Sequence, residues 1–230
     1  MSTTSKALVL FSGGQDSTVC LAWALKRFDQ VDTVGFDYGQ NHYLEMECRL
    51  KILKSLNPSG EDQVLKLPVL SEISESSLTQ DMEIAMQENG LPNTFVPGRN
   101  ILFLTTAAML AYRMGTSNLV TGVCETDYSG YPDCRDAFVK SMSNSLNQGM
   151  DTEMNILTPL MQIDKAATWE LAFELGGQEF VDLIVKDTHT CYRNDRGHLH
   201  AWGYGCADCP ACDLRQRGFE SWIQDTTSST

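Results

Sequence analysis

Ser12-Gly13-Gly14-Gln15-Asp16-Ser17 follows five apolar residues, Ala7-Leu8-Val9-Leu10-Phe11, and precedes a segment in which Leu21, Leu25 and Phe28 share a helical face. Strand, glycine turn and helix start, in that order, build an anion site. The glycines can adopt backbone angles denied to other residues and let the chain come close to a ligand. The unpaired N–H groups of the new helix then point at the same spot, with the positive end of the helix dipole behind them. Ser12 and Ser17 add hydroxyls. The stretch has no Gly-Lys-Ser/Thr and no lysine, so it is not a Walker A loop. An acid, Asp16, lies where phosphates would sit. A carboxylate beside phosphate needs a bridging divalent cation, which makes Asp16 a Mg²⁺ contact; the alternative is that Ser12 or Asp16 only caps the helix.

Working outward, the apolar runs alternate with helical spacing. Val31–Tyr38 reads as a second strand ended by Gly39, and Met46, Leu50 and Leu53 mark a helix after it. Val64–Val69 is a third strand, placed towards an edge by Pro68. From Ser71 to Pro97 the periodicity breaks into a polar run, which in a compact domain signals a functional or mobile loop. Ile101–Met114 then forms a helix apolar nearly all round, an interior helix, with Gly115 as its C-terminal cap. Leu119–Val123 and Asn155–Leu160 supply strands four and five. Phe138, Met142 and Leu146 mark a helix between them, and Asp164 caps a last helix running to Leu175 and Gly176. This rhythm implies an α/β fold, a doubly wound, mostly parallel five-stranded sheet with right-handed crossovers. In such sheets ligands gather beyond the carboxyl ends of the strands. The Ser12 loop, the Asp37-Tyr38 corner and the loop from Cys124 to Arg135 therefore share one cleft.

The chain has 230 residues, 42% hydrophobic and 20% charged, with a formal net charge of −13. That length suits one domain with a small appendage: residues 1–185 as an ATP-binding α/β domain, 186–225 as a cysteine-bearing region packed on it, and 226–230 as a frayed tail. The acidic balance argues against long nucleic-acid tracks. No apolar run reaches the length of a membrane span and the first residues have no signal-peptide shape, so a cytoplasmic protein acting on small molecules is expected. In that setting eight cysteines are thiols or metal ligands rather than disulfides. Cys206, Cys209 and Cys212 stand at two-residue gaps, with Cys191 upstream. Four thiolates so spaced complete a closed structural zinc site. An iron–sulfur cluster is the rival, but the ferredoxin pattern would place a further cysteine soon after Cys212. Cys20 and Cys48 read as core fillers, while Cys124 and Cys134 flank a site loop.

Phe11 to Ser17, Asp37-Tyr38-Gly39-Gln40, Asn93 to Asn100, Gly122 to Arg135, Ile163-Asp164-Lys165-Ala166 and the four-cysteine set occur together. In this order they resemble the 7-cyano-7-deazaguanine synthase (preQ0 synthase) family, within the PP-loop ATP pyrophosphatases. The resemblance covers nearly the whole chain, departing in a long stretch between Cys191 and Cys206 that carries Arg193, Arg196, His198, His200 and Trp202. It implies an adenine nucleotide alpha hydrolase-like fold and a homodimer acting in queuosine biosynthesis. It also implies ATP-dependent ligation: 7-carboxy-7-deazaguanine and ammonia become the 7-cyano base through an adenylated acid and an amide. The cofactors implied are ATP, Mg²⁺ and Zn²⁺, with ATP contacts at Phe11, Ser12, Gly13, Gly14, Gln15, Asp16, Ser17 and Thr18 and zinc on Cys191, Cys206, Cys209 and Cys212. Asp16, Lys165, Arg99 and Asp127 are the catalytic candidates. Asp133, Arg135 and Tyr128 are candidates for holding the base, and Tyr131 for stacking on it or walling the cleft. A PP-loop tRNA sulfur transferase with an iron–sulfur cluster is the alternative enzyme, and a zinc-ribbon binding module the alternative without catalysis.

Overall fold

A strand covered by helices on both faces must be apolar on both, and the first strand is. In the computed structural model, which describes residues 4–40, 43–80, 82–88, 90–126 and 130–228, β1 (Lys6–Leu10) leads into α1 (Gln15–Leu25). There follow β2 (Gln30–Asp37), α2 (Tyr43–Leu56), β3 (Asp62–Lys66), α3 (Val69–Ile73), α4 (Arg99–Met114) and β4 (Asn118–Val120). A 3₁₀ turn at Pro132–Cys134, α5 (Asp136–Met150), β5 (Asn155–Leu157) and α6 (Lys165–Asp187) come next. A hairpin of β6 (Leu199–His200) and β7 (Gly203–Tyr204) precedes α7 (Pro210–Ser228). The five main strands form one parallel sheet in the order β3-β2-β1-β4-β5. The expected doubly wound fold is therefore present, with β3 at an edge.

Period-two alternation splits β1 between two cores. Ala7 and Val9 face Val19, Leu21, Trp169 and Ile184 from α1 and α6, while Leu8 faces Val34, Ala107, Ala108, Ala111 and Leu146 on the other side. The end of β1 is fixed by Arg49 of α2, which is fully buried. Its Nε donates to the Phe11 carbonyl at 2.9 Å and its Nη1 to Asp62 Oδ2 at 2.7 Å, so one guanidinium joins α2, β1 and β3. Gly35 leaves it room: a Cβ there would lie 2.7 Å from Arg49 Nε.

Several expectations need correcting. β3 stops at Lys66 instead of Val69, because Pro68 has no N–H for the ladder and instead precedes the short α3. The polar break after Ser71 is cross-braced by Asn93, whose carbonyl accepts from Ser76 Oγ and whose side chain bonds Ala85 N and Glu83 O. α4 is not interior all round: Ile101, Met109 and Tyr112 are 48%, 61% and 63% exposed. The helix capped by Asp164, which accepts from Ala167 N at 2.8 Å, does not end at Gly176. It breaks at Gly176 and Gly177, the latter at φ 63°, and continues to Asp187. The hairpin and α7 occupy sequence in which no regular element was expected, and α7 runs through Ser228, into the stretch expected to fray.

Candidate active site

Everything in the Ser12 loop follows from how tightly Gly13 is packed. Gly13 sits at φ +96°, and a Cβ on it would lie 2.6 Å from the Glu45 carbonyl oxygen and 2.9 Å from Arg49 N. The loop therefore lies on the first turns of α2, and only glycine permits it. Ser17 Oγ accepts from Ser12 N and Gly13 N at 3.3 Å each and donates to Gly14 O at 3.1 Å. That hydroxyl braces the loop instead of waiting for phosphate. Thr18 Oγ1 likewise donates to Gly14 O at 2.7 Å. α1 opens at Gly14 with no side-chain cap, so neither Ser12 nor Asp16 is spent on capping. The N–H groups of its first turn are left for a ligand.

Asp16 instead meets Lys165. Lys165 Nζ lies 2.8 and 2.9 Å from the two Asp16 carboxylate oxygens, and Lys165 is 8% exposed. Two residues singled out separately in the sequence, far apart along the chain, form one ion pair beside the loop. A carboxylate keeps further lone pairs beyond those used by an ammonium, so a cation could still bind at Asp16.

The loop forms one wall of a cavity of about 340 Å³. Leu10 and Phe11 at the end of β1, Val34–Phe36 and Tyr38 from β2, Thr121–Cys124 after β4, Arg99 and Phe103 from α4, and Tyr131 line it. This is the strand-end cleft that parallel topology requires. Arg99 Nη1 reaches the Tyr38 hydroxyl at 3.5 Å and forms no ion pair with any described residue, although Tyr131, Tyr192 and Asp133 lie around it. Tyr131 stacks on Phe95, with ring centroids 5.4 Å apart, and so walls the cavity. Gln15 is 2% exposed, and its amide oxygen and nitrogen have no hydrogen-bond partner among the described residues.

The remaining candidates are distributed differently. Asp133 is 7% exposed and accepts from Asn100 N at 3.3 Å, while Asn100 Nδ2 donates to the Asp133 carbonyl at 3.1 Å. Burial raises its pKa, against the opposing pull of the Asn100 N–H and Arg99. It clamps the 3₁₀ turn to the start of α4 and does not line the cavity. Arg135 is exposed at the start of α5, also away from the cavity. Asp127 and Tyr128 lie outside the described residues. Cys124 and Cys134 line the cavity, while Cys20 and Cys48 are buried on helices.

The ligating atoms of Cys191, Cys206, Cys209 and Cys212 all lie within 4.8 Å of one another. Four sulfurs around a metal at about 2.3 Å would stand a little under 4 Å apart, so the set matches a tetrahedral thiolate centre. This centre is joined to the loop. His189 N donates to the Gly13 carbonyl at 3.3 Å, and the chain then passes through Thr190 and Cys191 to Tyr192, all four residues lining the cavity. Arg215 of α7, fully buried, donates to Thr190 Oγ1, Trp202 O and Ile184 O at 2.8–2.9 Å. Gly218 of α7 packs against Lys165, whose Cβ would lie 2.6 Å from a Cβ placed on the glycine. The cysteine region is thus part of the cavity wall.

Glu45 and Tyr192 are wall residues that the sequence reading did not single out, while Gln40 of the quoted Asp37–Gln40 motif also lines the wall. The same strand-end rule could have found Glu45, which opens α2 just after β2. Tyr192 is adjacent to Cys191 and became a wall residue only through the His189–Gly13 contact.

A parallel sheet of this order, with an SGGxDS loop at the end of its central strand, defines an ATP-using α/β protein of the PP-loop type, here carrying a four-cysteine centre. Residues 6–223 match the family described as Queuosine biosynthesis protein QueC. The chain belongs to that family. Among its relatives is a 7-cyano-7-deazaguanine synthase of Janthinobacterium sp. (strain Marseille), 58% identical over 96% of this chain and 98% of the relative. Another, of Bradyrhizobium sp. (strain BTAi1 / ATCC BAA-1182), is 55% identical over 97% of each. A 4-thiouridine synthetase solved with RNA and bound ATP shares the fold at TM-score 0.52 and 20% identity, covering 94% of this chain and 54% of that one. The likeness to a sulfur-transferring enzyme thus stops at a distant fold. Among the described residues no helix is long and apolar enough to cross a membrane.

If the four thiols hold a structural metal, Cys209→Ala will lose bound metal and roughly 3 kcal/mol or more of stability, read by metal analysis and thermal unfolding. Normal metal content and unchanged melting would remove Cys209 from the ligand set.

Proposed function

We propose that this protein is an ATP-dependent C–N ligase that converts 7-carboxy-7-deazaguanine and ammonia to 7-cyano-7-deazaguanine. Family membership and near full-length similarity to synthases of that name support the reaction. The observation that carries the chemistry is the glycine loop set beside the Asp16–Lys165 pair at one wall of the strand-end cavity.

A carboxylate is a poor electrophile and its oxygen a poor leaving group. Attack of a substrate carboxylate oxygen on the α-phosphate of ATP makes a mixed anhydride and releases pyrophosphate. The free N–H groups at the start of α1 receive that pyrophosphate. Lys165 stabilises charge that grows on the phosphate oxygens, and Arg99, which has no acid in ion-pair contact among the described residues, takes the carboxylate or phosphate anion. Asp16 would hold Mg²⁺, which neutralises phosphate charge when bound. The four cysteines would hold Zn²⁺, which supplies structure. Ammonia displaces the adenylyl group to give an amide, and a second adenylation of the amide oxygen allows its loss as the nitrile forms. Asp133 supports Arg99 from behind in this reading, and Asp127 and Tyr128 are the residues we assign to contact with the base.

The protein is read as a cytoplasmic homodimer that takes small molecules and not nucleic acid. The exposed apolar side chains Ile101, Met109 and Tyr112 along α4 support a subunit interface there. Sedimentation should give twice the chain mass; a monomer at micromolar concentration would remove the dimer from the account.

The scheme makes a free amide a competent intermediate. Supplied with the 7-amido base, ATP and Mg²⁺ but no ammonia, the protein should make the nitrile, detected by mass spectrometry. Brisk turnover of the acid with none of the amide would replace the two-activation scheme by one in which the intermediate stays adenylated.

A further inference from the structure

Asp16 and Glu45 are the two carboxylates in the cavity wall among the described residues, and they are differently placed. Asp16 is held by Lys165 through both oxygens. Glu45 accepts no hydrogen bond and joins no ion pair with any described residue. It stands in the first turn of α2, with its backbone against Gly13 of the phosphate loop. Among the described residues Arg99, on the facing α4, is the cation acting on it, while the Tyr38 hydroxyl beyond the end of β2 and the Cys48 thiol one turn on along α2 also feel its charge. A lone carboxylate kept within a cavity wall costs stability unless it has something to bind or protonate.

We propose that Glu45 is the catalytic base that accepts protons from the reacting nitrogen. This rests on the adenylation chemistry proposed above, because the nitrogen needs an acyl-adenylate beside the loop that Glu45 adjoins. In the first half, the lone pair of ammonia forms the C–N bond. One N–H proton passes to a Glu45 carboxylate oxygen as the C–O bond to AMP breaks, leaving the neutral amide. In the second half, O-adenylation and loss of one N–H proton to the same carboxylate leave a neutral imidate, which then gives up its last N–H proton in the same way. That electron pair closes the carbon–nitrogen triple bond as the C–O bond to the second AMP breaks. Three protons leave the nitrogen in all, one in the first half and two in the second, and Glu45 passes each to solvent before taking the next. No redox partner is required.

Burial raises the Glu45 pKa to about 7, against the opposing pull of Arg99. A base of that pKa is both ionised near neutrality and strong enough to take the proton. Because the working form is the carboxylate, the nitrogen steps should speed up as pH rises through about 7, at constant free ammonia. Adenylation, which needs no such base, should lack that limb.

The test separates the two halves with Glu45→Gln, which keeps the size and removes the base. Exchange of labelled pyrophosphate into ATP, dependent on the 7-carboxy base, reports adenylation. Hydroxylamine, an amine that is neutral at this pH, traps the adenylate without a strong need for a base. The variant should keep exchange and hydroxamate formation within a few-fold of the parent while amide and nitrile formation fall about 100-fold or more. Equal loss of exchange and nitrile, with a raised KM for the acid, would overturn the proposal and make Glu45 a residue that binds the base. Unimpaired nitrile formation would overturn it as well. If the parent protein itself shows no acid-dependent exchange, the ligase reading fails instead. Should Glu45→Gln not fold, the parent's two pH profiles decide, and a missing limb near 7 in the ammonia step overturns the assignment.

Discussion

No side chain can be placed on Gly13, and the site is arranged around that prohibition. Three segments meet the loop there: the first turns of α2 through the Glu45 carbonyl and Arg49 N, the end of β1 through Phe11, and the chain entering the cysteine centre through His189 N. The contacts with α2 at Gly13 and with His189 are main chain to main chain, and the Phe11 carbonyl is held by the buried Arg49 side chain, so the loop's path is set by close packing and hydrogen bonds. The N–H groups of α1 consequently keep one direction. A phosphate chain held by them finds its donors already in place, which is what makes such donors effective where charge develops.

The electrostatics follow from that geometry. The ion pair of Asp16 with Lys165 joins α1 to α6 on one side of the cavity, and Lys165 is kept in place by the close packing of Gly218 on α7. On the other side Arg99 is surrounded by tyrosine hydroxyls, and no acid among the described residues forms an ion pair with it. An anion in the cavity beside these groups would be partly shielded from water, and so would gain more than at an open surface. The cysteine centre matters to this balance because Cys191 and Tyr192 continue the strand of chain that touches Gly13. The Cys191 thiol is thus only two residues from the His189 N–H that bonds the loop.

The sequence carried the sheet, the loop and the ligand set plainly, because each depends on local signals. Apolar runs, glycine at a positive φ and two-residue cysteine gaps need no knowledge of distant chain. Asp16 and Lys165 were each legible as charged residues at loop ends, but their pairing was not, since nothing local ties α1 to α6. Ser17 looked like a phosphate donor and proved to be a brace of its own loop. Glu45 was hidden in an ordinary amphipathic helix. Only the packing of α2 beneath Gly13 turns its carboxylate towards the cavity wall. The kink at Gly176 and Gly177 was misread as an end, because a glycine pair stops a helix locally while packing of Phe180 and Ile184 into the core resumes it.

Where the substrate's oxygen atoms go tests the central claim most directly. With heavy oxygen in the carboxylate of the 7-carboxy base, turnover by adenylation places label in the phosphoryl group of AMP and none in pyrophosphate. Label recovered in inorganic phosphate, with ADP as the nucleotide product, would mean that the γ-phosphate is the group transferred. That result would contradict attack at the α-phosphate with release of pyrophosphate to the Ser12 loop.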